Sequence, residues 1–184
     1  MSADPGFRTT LQLRGVSKRF VAGAGACTVG VHALRAASIE IRGGEVLVVA
    51  GPLGSGKTTL LLCAAGLLRC DSGEILGVGR RVVYRDLLQP ARPIDPLIRG
   101  AVLLLDSCDA LPDLPRARAI RVIGEALTTG AAVVLAGRDA ECCIALTPPS
   151  STVSVVHLRL GQVASHADLA VVHHRVAEAA GSGY

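Results

Sequence analysis

Eight consecutive residues carry the clearest chemistry in this chain: Gly51, Pro52, Leu53, Gly54, Ser55, Gly56, Lys57 and Thr58. They match the pattern G-x-x-x-x-G-K-[ST], in which glycines let backbone N–H groups turn inward around phosphate oxygens. The sequence sets this loop after the apolar run Glu45–Ala50 (EVLVVA) and before the helical run Thr58–Leu68. A helix starting there adds its positive end to the cradle. Lys57 is expected to reach the β- and γ-phosphates, and Thr58 to offer its hydroxyl to Mg²⁺. Gly51, Gly54, Ser55, Gly56, Lys57, Thr58 and the adjoining Thr59 are therefore the expected nucleotide contacts. Lys18 and Lys57 are the chain's two lysines, against seventeen arginines. A lysine kept at position 57 fits a compact ammonium entering a phosphate cradle, where arginine is no substitute.

An acid belongs to the same chemistry. Asp106 ends the apolar run Ala101–Leu105 (AVLLL), and an acid at the end of such a strand is expected to hold Mg²⁺ through water, opposite Thr58. Asp106 and Thr58 are thus the expected metal residues, with ATP and Mg²⁺ the expected cofactors. The six cysteines, Cys27, Cys63, Cys70, Cys108, Cys142 and Cys143, form no C-x-x-C pair and no zinc-finger spacing. Adjacent Cys142 and Cys143 read as filling a helix face, since free Cys behaves as a small buried hydrophobe.

Elements able to position these residues alternate along the chain. Thr10–Val16 and Ala37–Arg42 read as short strands around a Gly- and Ala-rich loop at Val21–Val31. Glu45–Ala50, Ala101–Leu105 and Ala131–Ala136 read as strands buried on both faces. Glu74–Val78 and Arg81–Tyr84 read as a strand pair, and Asp86–Arg99, with Pro90, Pro93 and Pro96, as irregular. Helices are expected over Leu114–Thr128, near Asp139–Leu146, and at Leu169–Ala180. Val153–Leu160 and Val163–Ser165 suggest a closing hairpin at Gly161 and Gln162. The pattern predicts an α/β fold of the P-loop NTPase type: a mostly parallel sheet flanked by helices, with a small antiparallel element on the N-terminal side. One domain over residues 1–184 is expected, with residues 1–9 and 180–184 flexible.

Half of the 184 residues are hydrophobic but only 2% are aromatic, so the core must be built from Ala, Val, Leu and Ile. A net charge of +4 is too mild to indicate nucleic acid. Met1–Thr10 lacks the apolar stretch of a signal peptide. No apolar run approaches the roughly 20 residues that span a bilayer. A cytoplasmic protein without direct membrane insertion is expected, any membrane association coming through a partner.

Beyond these motifs, Leu11–Ile75 resembles the start of an ABC-type ATP-binding cassette. The likeness runs through GVSKRF, the HALR…SIEI…GEV lead-in, the P-loop, and AGLL-x-x-DSGEI. It resumes in Leu103–Asp113 (LLLDSCDALPD), Gly130–Asp139 (GAAVVLAGRD) and Val156–Val163 (VHLRLGQV). The resemblance implies that Phe20 stacks on the adenine, and it implies a partner: another ABC-type cassette or a membrane permease.

The sequence also departs from that family's pattern. Lys57 and Asp106 lie only forty-nine positions apart, leaving no room for the helical subdomain, and no LSGGQ-like string occurs. Where the family carries a water-polarising Glu, this chain has Ser107, and Arg138 stands in place of the switch histidine. Asp109 and Asp113 are the candidate replacement bases, with Asp113 falling at the family's dimer-contact Asp. Gln89 is the candidate for the glutamine that senses Mg²⁺. The reading is a shortened cassette that binds Mg-ATP with weak or no hydrolysis. Two alternatives remain: an active ATPase that energises a transporter, and a small P-loop kinase using Arg80, Arg81, Arg85, Arg92 and Arg99 as a lid.

Overall fold

The runs of Val, Leu, Ala and Ile around the P-loop form strands whose two faces are both covered, as their unbroken apolar character requires. The computed structural model describes residues 9–22, 29–77, 81–89, 100–149 and 151–158. Among the described residues, five strands make the central sheet: β3 (Glu45–Ala50), β5 (Val82–Asp86), β6 (Val102–Asp106), β7 (Ala132–Gly137) and β8 (Thr152–His157). Their order is β5-β6-β7-β3-β8, and every neighbouring pair is parallel. A second, antiparallel sheet, in the order β2-β1-β4, consists of β1 (Thr9–Ala22), β2 (Val29–Arg42) and β4 (Ser72–Leu76).

Alternation along the parallel strands sorts their side chains into two apolar layers. Leu47, Val49, Val102, Leu104, Val134 and Ala136 face one way. There they meet Leu60, Leu61 and Cys63 of α1 (Lys57–Ala64) and the inner face of the antiparallel sheet, including Leu11, Leu13, Ile39 and Ile41. Val46, Val48, Leu103, Leu105, Val133 and Leu135 face the other way. They pack on Ile123 and Ala126 of α2 (Asp113–Thr128) and on Cys143 of α3 (Ala140–Ile144). Among the described residues no helix is long and apolar enough to cross a membrane.

This α/β architecture, a parallel sheet with a small antiparallel one, is the expected class, but several elements differ from the sequence reading. Glu74–Val78 and Arg81–Tyr84 are not a pair. Leu13 of β1 lies opposite Ile75 of β4, whereas Val83 of β5 lies opposite Leu103 of β6. The reason is burial: β4 shows solvent most of its side chains, while Val83 is buried. Strands β1 and β2 also run well past their expected ends, pairing as far as Ala22 and Val29. Val21, Ala22 and Val29–Val31, expected in a loop, are therefore in strands, because cross-strand pairing compensates for weak local strand preference; residues 23–28 of that loop lie outside the described residues.

Helix α1 stops at Ala64, short of the expected Leu68, and Gly66 takes a φ of 70°. The N–H groups of Leu67 and Leu68 turn back to the Leu62 carbonyl, closing the helix end. The helix near Asp139–Leu146 begins where Asp139 caps the N–H of Glu141 at 2.9 Å. The second strand of the expected closing hairpin, the helix at Leu169–Ala180, and residues 1–8 and 180–184 lie outside the described residues; Thr9 is already in β1.

Candidate nucleotide-binding site

The carboxyl ends of β3, β6 and β7 bring the motif residues to one edge of the sheet. At the end of β3, the Gly51 N–H donates to the Gly137 carbonyl at 3.2 Å, tying the loop to β7. On the other side, the Leu158 N–H donates to the Ala50 carbonyl at 2.7 Å. The loop then folds on itself, with the Ser55 N–H donating to the Pro52 carbonyl at 3.2 Å. Gly54 and Gly56 take φ values of 77° and 94°, a region that L side chains avoid. Gly56 is the N-cap of α1 and supplies no side-chain cap. The first-turn N–H groups of the helix are therefore left for an anion.

Lys57 folds back over this loop. Its ammonium donates to the carbonyls of Gly51 at 2.7 Å and Pro52 at 2.8 Å, and to the buried Ser55 Oγ at 3.3 Å. Burial lowers its pKa from the ordinary lysine value, opposed by the attraction of Asp106 and Asp109. Thr58 is exposed at the start of α1, with Thr59 half-buried beside it.

Asp106 ends β6 with only 4% of its surface exposed. Its Oδ1 accepts from the Ser107 N–H at 2.9 Å, and its Oδ2 accepts from the Tyr84 hydroxyl at 3.2 Å. No cationic side chain forms an ion pair with it among the described residues. A buried carboxylate without a cation partner fits a residue that would hold Mg²⁺ through water, with the exposed Thr58 hydroxyl available as an oxygen ligand. Burial pushes the Tyr84 phenol well above its ordinary value, with Asp106 adding to the effect, so it stays protonated and donates.

Beyond Asp106 the backbone turns sharply. Ser107 adopts the left-handed conformation (φ 61°, ψ 38°) ahead of a short 3₁₀ turn, Cys108–Ala110. The turn carries Asp109 across to the end of β7. There its Oδ1 accepts from the Arg138 N–H and its Oδ2 from the Arg138 Nε, each at 3.0 Å. Burial works to raise the Asp109 pKa, but these hydrogen bonds outweigh it and hold the carboxyl below its usual value. Arg138 itself remains 68% exposed.

The remaining candidates are more scattered. Phe20 projects from β1, 44% exposed, with the Lys18 ammonium 5.7 Å from its ring centroid. Lys18 also pairs with Asp71 at 2.8 Å, and Asp71 accepts from the Arg19 N–H at 2.7 Å. Gln89 sits in the exposed turn after β5. Asp113 opens α2, and its side chain is outside the described residues. Of the suggested lid arginines, Arg85 lies on β5 and Arg81 just before it; Arg80, Arg92 and Arg99 fall outside the described residues. Sequence reasoning missed Tyr84, whose contact with Asp106 follows from strand pairing and has no local signal.

Comparisons with known proteins agree with this architecture. The ABC transporter family model matches residues 34–104. The ribose import ATP-binding protein RbsA 1 of Streptomyces coelicolor is 37% identical over 112 residues, 61% of this chain and 19% of the relative. The sulfate/thiosulfate import ATP-binding protein CysA of Bordetella pertussis is 39% identical over 80 residues, 44% of this chain and 20% of the relative. The chain thus spans about a fifth of the length of these relatives. Among solved structures, the dimeric bacterial ABC transporter cassette MJ0796 superposes with a TM-score of 0.60 at 14% identity, covering 84% of this chain and 97% of that one. The ADP conformation of the cassette MJ1267 gives 0.59 at 12% identity, covering 83% and 89%. At such identities the likeness is one of fold. In sequence over residues 34–104 and in fold, the chain resembles ABC-type ATP-binding cassettes.

Proposed function

We propose that this chain binds Mg-ATP at the Gly51–Thr58 loop, hydrolyses it slowly or not at all, and uses the bound nucleotide to dock on a partner. The observation that supports this reading is what surrounds Asp106. The groups that grip a nucleotide stand together: the glycine loop, Lys57, Thr58 and a buried acid. A general base is not among them. Ser107 offers a hydroxyl, which is a very poor base near neutral pH. Asp109 has both oxygens engaged by Arg138, and a carboxylate held at low pKa is a weak proton acceptor.

In this reading the Lys57 ammonium leaves the carbonyls of Gly51 and Pro52 for the β- and γ-phosphates, exchanging neutral acceptors for charged ones. The loop N–H groups and the N-terminus of α1 hold the phosphate oxygens. Asp106 and Thr58 would hold Mg²⁺, which neutralises phosphate charge. Phe20, exposed on β1, is the stacking face for the base. The partner is another ABC-type cassette or a membrane permease, which would place the protein at the cytoplasmic membrane face. The roles of the relatives, import ATP-binding proteins, favour that class of partner.

The test is single-turnover hydrolysis of radiolabelled Mg-ATP with protein in excess, beside Lys57→Ala. Removing the ammonium takes away charge-assisted hydrogen bonds of about 1.5–3 kcal/mol each, so ATP retention is expected to fall at least about tenfold. Retention without turnover in the unaltered chain, lost in the variant, is the expected result. Turnover that disappears with Lys57 would refute the binding-only reading and make Asp113 the base to test.

A further inference from the structure

We propose that Tyr84 is a positioning residue for the metal-binding carboxylate, its hydroxyl fixing Asp106 in the orientation that receives Mg²⁺. The inference rests on the nucleotide-binding reading above and names a residue of that site which no motif assigns. Register carries the argument. Strands β5 and β6 pair in parallel with Tyr84 opposite Leu104, two positions before Asp106. The tyrosine ring packs against the apolar layer shared with α1, so its hydroxyl meets the carboxylate from the neighbouring strand at 3.2 Å. On the other oxygen, the Ser107 N–H donates at 2.9 Å.

The last torsion of an aspartate side chain is broad and roughly two-fold, so an Asp at a strand end turns readily. Two donors, one on each oxygen, remove that freedom here. Each carboxylate oxygen still has a lone pair beyond the bond it already accepts. Partners of this kind orient the groups that hold a metal, here through water, and losing one commonly weakens metal affinity about tenfold. Phenylalanine at position 84 would keep the packed ring and delete only the donor.

The chain supplies its own reporter, since it has two tyrosines and no tryptophan. In a Tyr184→Phe background, Tyr84 is the sole tyrosine. Its emission, quenched by the carboxylate acceptor, is expected to rise when Mg²⁺ is added to protein carrying a fluorescence-silent ADP. In parallel, binding of a fluorescent ADP analogue is measured with Mg²⁺ and with EDTA, for the unaltered chain and Tyr84→Phe. The variant is expected to lose about tenfold in Mg²⁺-dependent affinity, while EDTA binding stays within about twofold. Equal losses with and without Mg²⁺ would show a structural role only and overturn the proposal. So would superimposable curves, or Tyr84 emission indifferent to Mg²⁺. Unaltered protein that binds no nucleotide in either condition overturns the parent reading as well, which separates the two failures.

Discussion

Replacing Gly56 by alanine tests how the antiparallel sheet holds the Gly51–Thr58 loop. Gly56 has φ 94° and ψ 7°, and a Cβ there would fall on the carbonyl oxygen of Ala33 and reach Leu34 Cδ2 at 3.3 Å. That carbonyl cannot withdraw freely, because the flanking Leu34 and His32 of β2 pair with Lys18 and Arg19 of β1. Forcing an L residue into left-handed backbone costs about 1–2 kcal/mol. Overpacking against a wall that cannot relax adds about 1–3 kcal/mol. The sum, about 2–5 kcal/mol, is a large share of the ~5–15 kcal/mol that stabilises an ordinary domain. Gly66 is the natural control: its φ is 70°, but a Cβ there meets nothing within 4 Å. Gly66→Ala should therefore cost the backbone share alone, about 1–2 kcal/mol. Urea denaturation followed by circular dichroism reads both, with the difference in midpoint giving the steric part. Equal losses in the two variants would refute the account, since they would leave the Ala33 carbonyl no role as a wall. Gly56→Ala is also expected to weaken nucleotide retention, because Lys57 and the free N–H groups of α1 follow directly from this residue.

Two further outcomes are expected. The Asp109 carboxyl is held below its usual pKa, so its pair with Arg138 stabilises the fold above about pH 4, the unfolded carboxylate value. That contribution is lost as pH falls through the lower native value. Asp109→Asn should therefore cost up to about 1 kcal/mol at pH 7, discounted for the exposed Arg138, with the deficit closing in acid; a deficit unchanged at pH 2 would contradict the ion pair. The thiols should divide by burial. Cys63 is pushed up to about 11, and Cys108 is raised by a hydrogen bond to the equally buried Cys143 and by burial. In a Cys27→Ser background, an aromatic disulfide reagent at pH 8 should label Cys70 and Cys142 in the native state and leave Cys63, Cys108 and Cys143 until unfolding. Native labelling of the buried three at the same rate would refute this packing.

The amino-acid sequence alone determined the local parts. Its glycine spacing marks the Gly51–Thr58 loop, since the positive φ of Gly54 and Gly56 in the turn from strand to helix favours glycine. Runs such as EVLVVA and AVLLL identified strands buried on both faces, because apolar content over a few residues is itself a local property. Asp106 was legible for the same reason, as the acid that ends such a run. Which strand lies beside which was decided by the tertiary structure. Local pattern could not send β4 to the antiparallel sheet and β5 to the parallel one, nor show that β1 and β2 support each other to Ala22 and Val29. The bonds from Tyr84 to Asp106 and from Arg138 to Asp109 span 22 and 29 positions. They exist because parallel register aligns the carboxyl ends of β5, β6 and β7, and register is set by packing across the whole sheet.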